Sequence, residues 1–134
     1  MFSQVFLAAS DFKRVYAVYA PLMQVLEIKQ RFYVPENSWA GGHPQAGSRH
    51  LFIVGIPFNG VAHDPGNGQV VAFMAKDRAA VDRAYDLALA GGGKDEGRPG
   101  LRPQYHTDYY GAYFRDTEGN KVCVVCHEAI AGQG

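Results

Sequence analysis

The chain has 134 residues, enough for one domain or two small, closely packed halves. Its hydrophobic content of 47% argues against disorder, and thirteen basic residues cancel thirteen acidic ones. No run of Lys or Arg exists, so neither nucleic acid nor an anionic membrane is an expected partner.

In chain order, residues 2–9 (Phe-Ser-Gln-Val-Phe-Leu-Ala-Ala) are a short apolar run that predicts a strand. Ser10-Asp11 offers a helix N-cap, and Phe12, Val15, Tyr16, Tyr19, Leu22, Met23 and Leu26 recur at helical spacing over 11–26. Pro21 is expected to kink that helix or end its regular part. Residues 27–34 predict a second strand, and 35–47 a loop around one short strand near Trp39. A further strand is expected over 49–58, followed by a turn-rich connection over 59–68.

The second half follows the same plan. Residues 69–75 (Gln-Val-Val-Ala-Phe-Met-Ala) predict a strand. Asp77 is a natural N-cap for a helix over Arg78–Ala90, which Gly91-Gly92-Gly93 ends. The charged, Gly/Pro-punctuated stretch 94–103 reads as a loop. Residues 109–115 and 122–127 then predict a hairpin whose turn is Asp116-Thr117-Glu118-Gly119-Asn120. Strand, capped helix, several strands, twice over, with the two N-caps Asp11 and Asp77 separated by 66 positions, indicates an internal duplication of βαβββ type. The expected fold class is α+β in a single domain: a first module over 1–60, a linker over 61–67, a second module over 68–128 and a tail over 129–134.

Seventeen aromatic residues suit an apolar pocket as well as a core. Residues alternate across strands, so Gln4, Phe6 and Ala8 share a face, as do Val70, Ala72 and Met74, and Cys123, Val125 and His127. Arg102, Tyr105, His106 and Tyr110 form the densest polar group: an Arg can fix an oxyanion bidentately, and a His can serve as general acid or base. Hydrogen bonding of that loop to backbone carbonyls is the competing role. Trp39 and His50 are candidates for the mouth of a pocket. Cys123-Val124-Val125-Cys126-His127 has the spacing of covalent haem attachment, but on a strand its two thiols face opposite ways, which argues against that role and weakens a thioredoxin-like pair, which needs a helix start. Residues 1–9 lack the basic start of a signal peptide and no apolar run is long enough for a membrane span, so a cytoplasmic location with reduced cysteines is expected.

The runs Gly68-Gln69-Val70-Val71-Ala72-Phe73-Met74-Ala75, Asp77-Arg78-Ala79-Ala80-Val81-Asp82, Pro99-Gly100-Leu101-Arg102-Pro103, Tyr109-Tyr110-Gly111-Ala112-Tyr113 and Asp116-x-x-Gly119-Asn120-Lys121-Val122 resemble the vicinal oxygen chelate superfamily. This is the group of glyoxalase I, bleomycin-resistance and extradiol-dioxygenase proteins, and the likeness points to its short bacterial glyoxalase-like members. The resemblance is dense over 66–128 and sparser over 2–60, where Ala8-Ala9-Ser10-Asp11-Phe12 and Ile56-Pro57-Phe58-Asn59-Gly60 carry it. It implies two βαβββ modules whose eight strands curve into a half-barrel around a cavity, and a homodimer.

In the family's enzymes the resemblance implies one divalent metal held by His or Glu on the first, fourth, fifth and last strands. Those places fall on Gln4, Val70 and Cys123, and the fourth strand has no candidate, because no Asp or Glu lies between Asn37 and His63. The expectation is therefore a cavity without the usual ion and no cofactor, taking a small organic ligand among Gln4, Phe6, Trp39, His50, Val70, Met74, Tyr105, Tyr110, Cys123 and His127, with His106 and Arg102 as candidate catalytic groups. The alternatives are a lyase or isomerase of the lactoylglutathione lyase kind with a metal on a different set drawn from Cys123, His127, His50 and His106, a drug-sequestering protein, and a partner-binding domain with a filled cavity.

Overall fold

The computed structural model describes residues 1–44 and 50–130. The first half contains β1 (Gln4–Ala8), α1 (Phe12–Val25), β2 (Lys29–Val34), a 3-10 turn (Pro35–Asn37), β3 (Trp39–His43) and β4 (Leu51–Gly55). The second contains β5 (Val71–Met74), α2 (Arg78–Ala90), β6 (Lys94–Leu101), β7 (Tyr110–Arg115) and β8 (Lys121–Cys126). The ends of the expected 35–47 loop and 49–58 strand fall at 45–49, outside the described residues.

Both helices start where the caps predict. The Asp11 carboxylate accepts from Arg14 N at 3.1 Å and the Asp77 carboxylate from Ala80 N at 2.8 Å, each satisfying a first-turn amide that has no partner within the helix. Pro21 lies inside α1, which runs on to Val25, so the ring does not end the helix. The expected loop over 94–103 is instead β6, an eight-residue strand. Its pairing with β7 shifts register between Asp95 and Gly97 and again between Gly97 and Gly100. It is an edge strand, where a proline such as Pro99 removes no ladder bond, and glycines at bulges erase the alternation that marks a strand in sequence.

The sheet orders are β1-β4-β3-β2 and β5-β8-β7-β6, the same plan twice, and the two four-stranded sheets do not close into a barrel. In each sheet the first and last strands of the module pair in parallel, with Phe6 opposite Ile53 and Ala72 opposite Cys123. One face of each sheet lies against the helices. Phe52, Val54, Phe114, Val122, Val124 and Cys126 on those faces join α1 and α2 in a single buried cluster drawn from both halves. Phe52 meets Phe73 edge-on at 4.9 Å and Tyr19 at 5.3 Å between ring centroids, so the aromatic contacts also cross the module boundary.

A polar staple crosses the same boundary. The β7–β8 turn closes through Asp116 N to Asn120 O at 3.0 Å and Gly119 N to Asp116 O at 3.1 Å, with Gly119 at φ 88°, where a Cβ would be strained. The buried Asp116 carboxylate accepts from the Tyr19 hydroxyl of α1 at 2.6 Å, the Asn120 amide at 2.9 Å and the backbone N–H groups of Glu118 and Asn120. Asn120 also donates to Ala8 O of β1 at 3.0 Å and meets His63 Nε2 at 2.8 Å. Because the Asn120 amide nitrogen is committed to those two acceptors, His63 donates to the Asn120 oxygen. Glu118 accepts from Ser10 N and Asp11 N at the start of α1. The Asp-x-x-Gly-Asn turn thus ties the second module to the first helix, the first strand and the linker.

Candidate functional site

With one sheet face committed to the helices, the four family positions lie on the other, open face. In the first module that face carries Gln4, Phe6 and Trp39, all exposed, above a buried Ile53. In the second it carries Ala72, Met74, Tyr113 and a buried Cys123, and Val70 continues the alternation just before β5. The expected split of the cysteines holds: Cys126 joins the helix-side core and Cys123 does not. Both are free thiols.

The strand registers identify the four places at which the family resemblance puts metal ligands. Gln4 and Val70 are equivalent through the 66-residue offset of the caps, and Ile53 is the equivalent of Cys123 through the parallel pairings. This assigns the fourth-strand place that the sequence leaves open. The set offers one amide, one thiol and two hydrocarbons. A hard divalent ion is held by carboxylate, imidazole or carbonyl donors, so these residues do not fit it. Among the described residues no group of three or more His, Cys, Asp or Glu side chains converges as a metal site.

The candidate residues separate into three places. Gln4, His50 and Met74 line a cavity of about 430 Å³ at the seam between β1 and β5, together with Phe2 and the helix-side residues Phe52 and Phe73. Phe6 and Trp39 belong to a second recess of about 350 Å³ with Ile56 and Phe58. Tyr105, His106, Cys123 and His127 gather around Tyr109 on the second module, and Val70 is half exposed outside all three.

Tyr109 is the residue that sequence reasoning missed as a centre. Its hydroxyl lies 2.8 Å from that of Tyr113 and 3.5 Å from Cys123 Sγ, and its ring meets Tyr105 at 4.8 Å, His127 at 5.5 Å and His106 at 5.6 Å. Burial, and then the hydrogen bond to Tyr113, pushes its phenol well above the ordinary range. Burial also raises Tyr113. Both therefore act as neutral hydroxyls at physiological pH. The signal was present: Tyr109, Gly111 and Tyr113 alternate onto one face, and Tyr113 pairs directly with Cys123.

Arg102 sends three N–H groups to backbone, to Gly100 O at 2.8 Å, Arg98 O at 2.9 Å and Gly111 O, locking the irregular β6 edge onto β7. Its guanidinium also lies 5.1 Å from the Tyr113 ring centre, a cation–π contact that Lys121 joins at 5.6 Å. Tyr110 points to the helix side instead. Its hydroxyl donates to Asp82 of α2 at 2.7 Å and its ring faces Arg78 at 5.3 Å. Burial, and then Asp82, raises its phenol to about 12, against the opposing charge of Arg78. His106 reaches His127, with Nε2 2.8 Å from Nδ1.

A duplicated βαβββ chain with two helix-backed mixed sheets and an open, aromatic β face belongs to the class of paired-module α+β proteins. The family model of the Glyoxalase/Bleomycin resistance protein/Dioxygenase superfamily matches residues 2–124, and the chain is a member of that superfamily. A crystal structure of a glyoxalase/bleomycin resistance protein from Albidiferax ferrireducens T118 is similar with a TM-score of 0.83 at 28% identity, covering 94% of this chain and 98% of that one. A glyoxalase/bleomycin resistance protein/dioxygenase family enzyme from Burkholderia phytofirmans PsJN shares the fold with a TM-score of 0.65 at 19% identity, covering 94% and 98%. Lactoylglutathione lyase from Agrobacterium tumefaciens does so with a TM-score of 0.60 at 20% identity, covering 94% and 92%. No curated protein matches the chain in sequence.

Proposed function

We propose that this protein holds a small, partly apolar organic molecule against its sheets, without the divalent ion used by enzymes of its superfamily. The observation that supports this most directly is the cavity at the β1–β5 seam, walled by Phe2, Phe52 and Phe73 with Gln4 at its edge, in a chain whose four equivalent places hold only Gln4, Ile53, Val70 and Cys123. Aromatic and aliphatic walls with one amide and one imidazole at the edge suit a molecule with an apolar body and one or two polar groups. A binding role of the drug-sequestering kind needs only such a pocket. The proposal includes a homodimer, the state the family resemblance implies. No helix among the described residues is long and apolar enough to cross a membrane.

The test is a thermal-shift screen of aromatic acids and antibiotics with Met74→Asp, which places a charge on the cavity wall. Ligands that raise the melting temperature of the parent protein should lose their effect on the variant. If the screen yields no ligand, or if every hit acts equally on both proteins, the cavity reading fails.

A second reading rests on the proximity of His106 and His127. It is a metal-dependent lyase or isomerase of the lactoylglutathione lyase kind with non-standard ligands that include His106 and His127, while Arg102 stays bound to the carbonyls of β6 and β7. Assay of the methylglyoxal–glutathione hemithioacetal with Ni²⁺, Zn²⁺ and Mn²⁺ decides it, and a flat trace with all three eliminates it.

A further inference from the structure

Outside the four family positions, His106 and His127 bring two ring nitrogens within 2.8 Å of each other. Both side chains are exposed, their rings lie 30° apart with centroids at 5.1 Å, and Tyr109 backs both of them edge-on. His106 is carried by the segment between β6 and β7, and His127 follows β8. His127 sits about 13 Å along the strand direction from Cys123, four residues at the rise of an extended chain. This is therefore not the family's ligand constellation.

We infer that His106 and His127 form a two-histidine site for a borderline divalent transition metal ion of the Cu²⁺, Ni²⁺ or Zn²⁺ class. Imidazole is the donor these ions favour, and Mg²⁺ and Ca²⁺, which favour oxygen, are not its ligands. The spacing suits the chemistry. Two nitrogens about 2.0–2.1 Å from one ion lie about 2.9 Å apart at a right angle and about 3.3 Å apart at the tetrahedral angle. The existing separation is thus close to that of two neighbouring coordination positions and needs little widening.

Asp108 N–H donates to His106 Nδ1 at 3.2 Å, so the His106 proton resides on Nε2 and is shared with His127 Nδ1. An ion entering between the rings takes the place of that proton, which moves to His106 Nδ1. The long contact from Asp108 is given up, and each ring turns so that its lone pair converges on the ion rather than on the other ring. Both residues are exposed, which leaves room for that turn. The pair supplies two donors, so the remaining coordination positions are left to water or to the oxygens of a bound molecule. The site shares its two histidines with the second reading above but does not require that activity: metal uptake tests the site, the hemithioacetal assay tests the lyase, and neither involves the cavity at the β1–β5 seam.

The test uses the full chain purified without a histidine tag and stripped with chelator, with Cu²⁺, Zn²⁺ and Mg²⁺ as probes. Titration calorimetry should give one equivalent for Cu²⁺ and for Zn²⁺ and no heat for Mg²⁺. The Cu²⁺ electron paramagnetic resonance spectrum should carry the splitting of two imidazole nitrogens. His127→Gln and His106→Gln should each weaken uptake by about tenfold or more, since even loss of an outer-shell partner costs about 10–100-fold. His43→Gln should leave it unchanged. Both test side chains are exposed, and circular dichroism verifies that the variants fold. Equal uptake by the parent and the doubly substituted protein, a spectrum without the two nitrogens, or equal competition by Mg²⁺ would overturn the assignment.

Discussion

Asp116 accepts from four donors while almost completely buried, and two of those donors belong to Asn120. Asp116→Ala strips the partner from the Tyr19 hydroxyl and from two turn amides in a dry setting, and should cost about 3 kcal/mol or more, read as a lowered urea midpoint with an unchanged slope. Tyr19→Phe removes one bond but leaves the carboxylate its Asn120 donor, and should cost about 1.5 kcal/mol. The Asp-x-x-Gly-Asn run was legible as a turn because turn chemistry is local. Its partners Tyr19 and Ala8 lie in the other half of the chain, beyond the reach of any local pattern. Tyr110 supports a prediction of a different kind. Its phenol is raised to about 12 by burial and by Asp82, against about 10 in an unfolded chain. The unfolded state therefore loses its proton first. The stability from this group is intact below pH 10 and is lost as pH rises from 10 through about 12. Urea midpoints measured across that window should fall, and Tyr110→Phe should fall less steeply. Some slope remains because Tyr19 is raised in the same direction by its own burial and by Asp116.

Among the elements, those with short-range signals matched expectation and those without did not. The two helices carry spaced apolar residues and an Asp cap each, and both begin within a residue of the place those signals specify. β6 shows neither β-branched residues nor alternation in Lys94–Leu101, because an exposed edge strand with two register shifts has no buried face to encode. What holds it is Arg102, whose bonds to the carbonyls of Arg98, Gly100 and Gly111 come from beyond its end. The cap on α2 lends itself to measurement. Asp77→Ala leaves Ala80 N–H without its acceptor and should cost about 1 kcal/mol, whereas Asp77→Ser, which keeps an oxygen at the cap, should recover most of it. Equal losses for both variants would show that the carboxylate matters for something other than the cap.

At the scale of the molecule, the duplication was readable from the 66-residue offset, but the distribution of candidate site residues was not. Facing is a local property; whether two faces meet depends on how the modules pack. Gln4 and Met74 come together at the seam, Phe6 and Trp39 line a separate recess, and Cys123 sits under the tyrosines of the second module. Since one core cluster draws on both halves, the modules should unfold together, with tryptophan fluorescence from the first and far-ultraviolet dichroism from both reporting one midpoint. The helix-backed faces are filled, yet Phe58 is fully exposed and Met74 is 77% exposed, with Phe6, Trp39 and Val70 also reaching solvent from the open side. Phe6, Trp39 and Phe58 lie together in one recess and Met74 at the seam, and exposed apolar groups of this kind are where a protein partner or ligand docks. A second copy of the chain, related by a twofold axis, satisfies this without requiring any other partner. Sedimentation equilibrium at micromolar concentration should give twice the chain mass, and Phe58→Ser combined with Met74→Ser should shift the population toward monomer while leaving the helix content intact. A monomeric parent protein would remove the dimer from the proposed function and leave these side chains for the ligand alone.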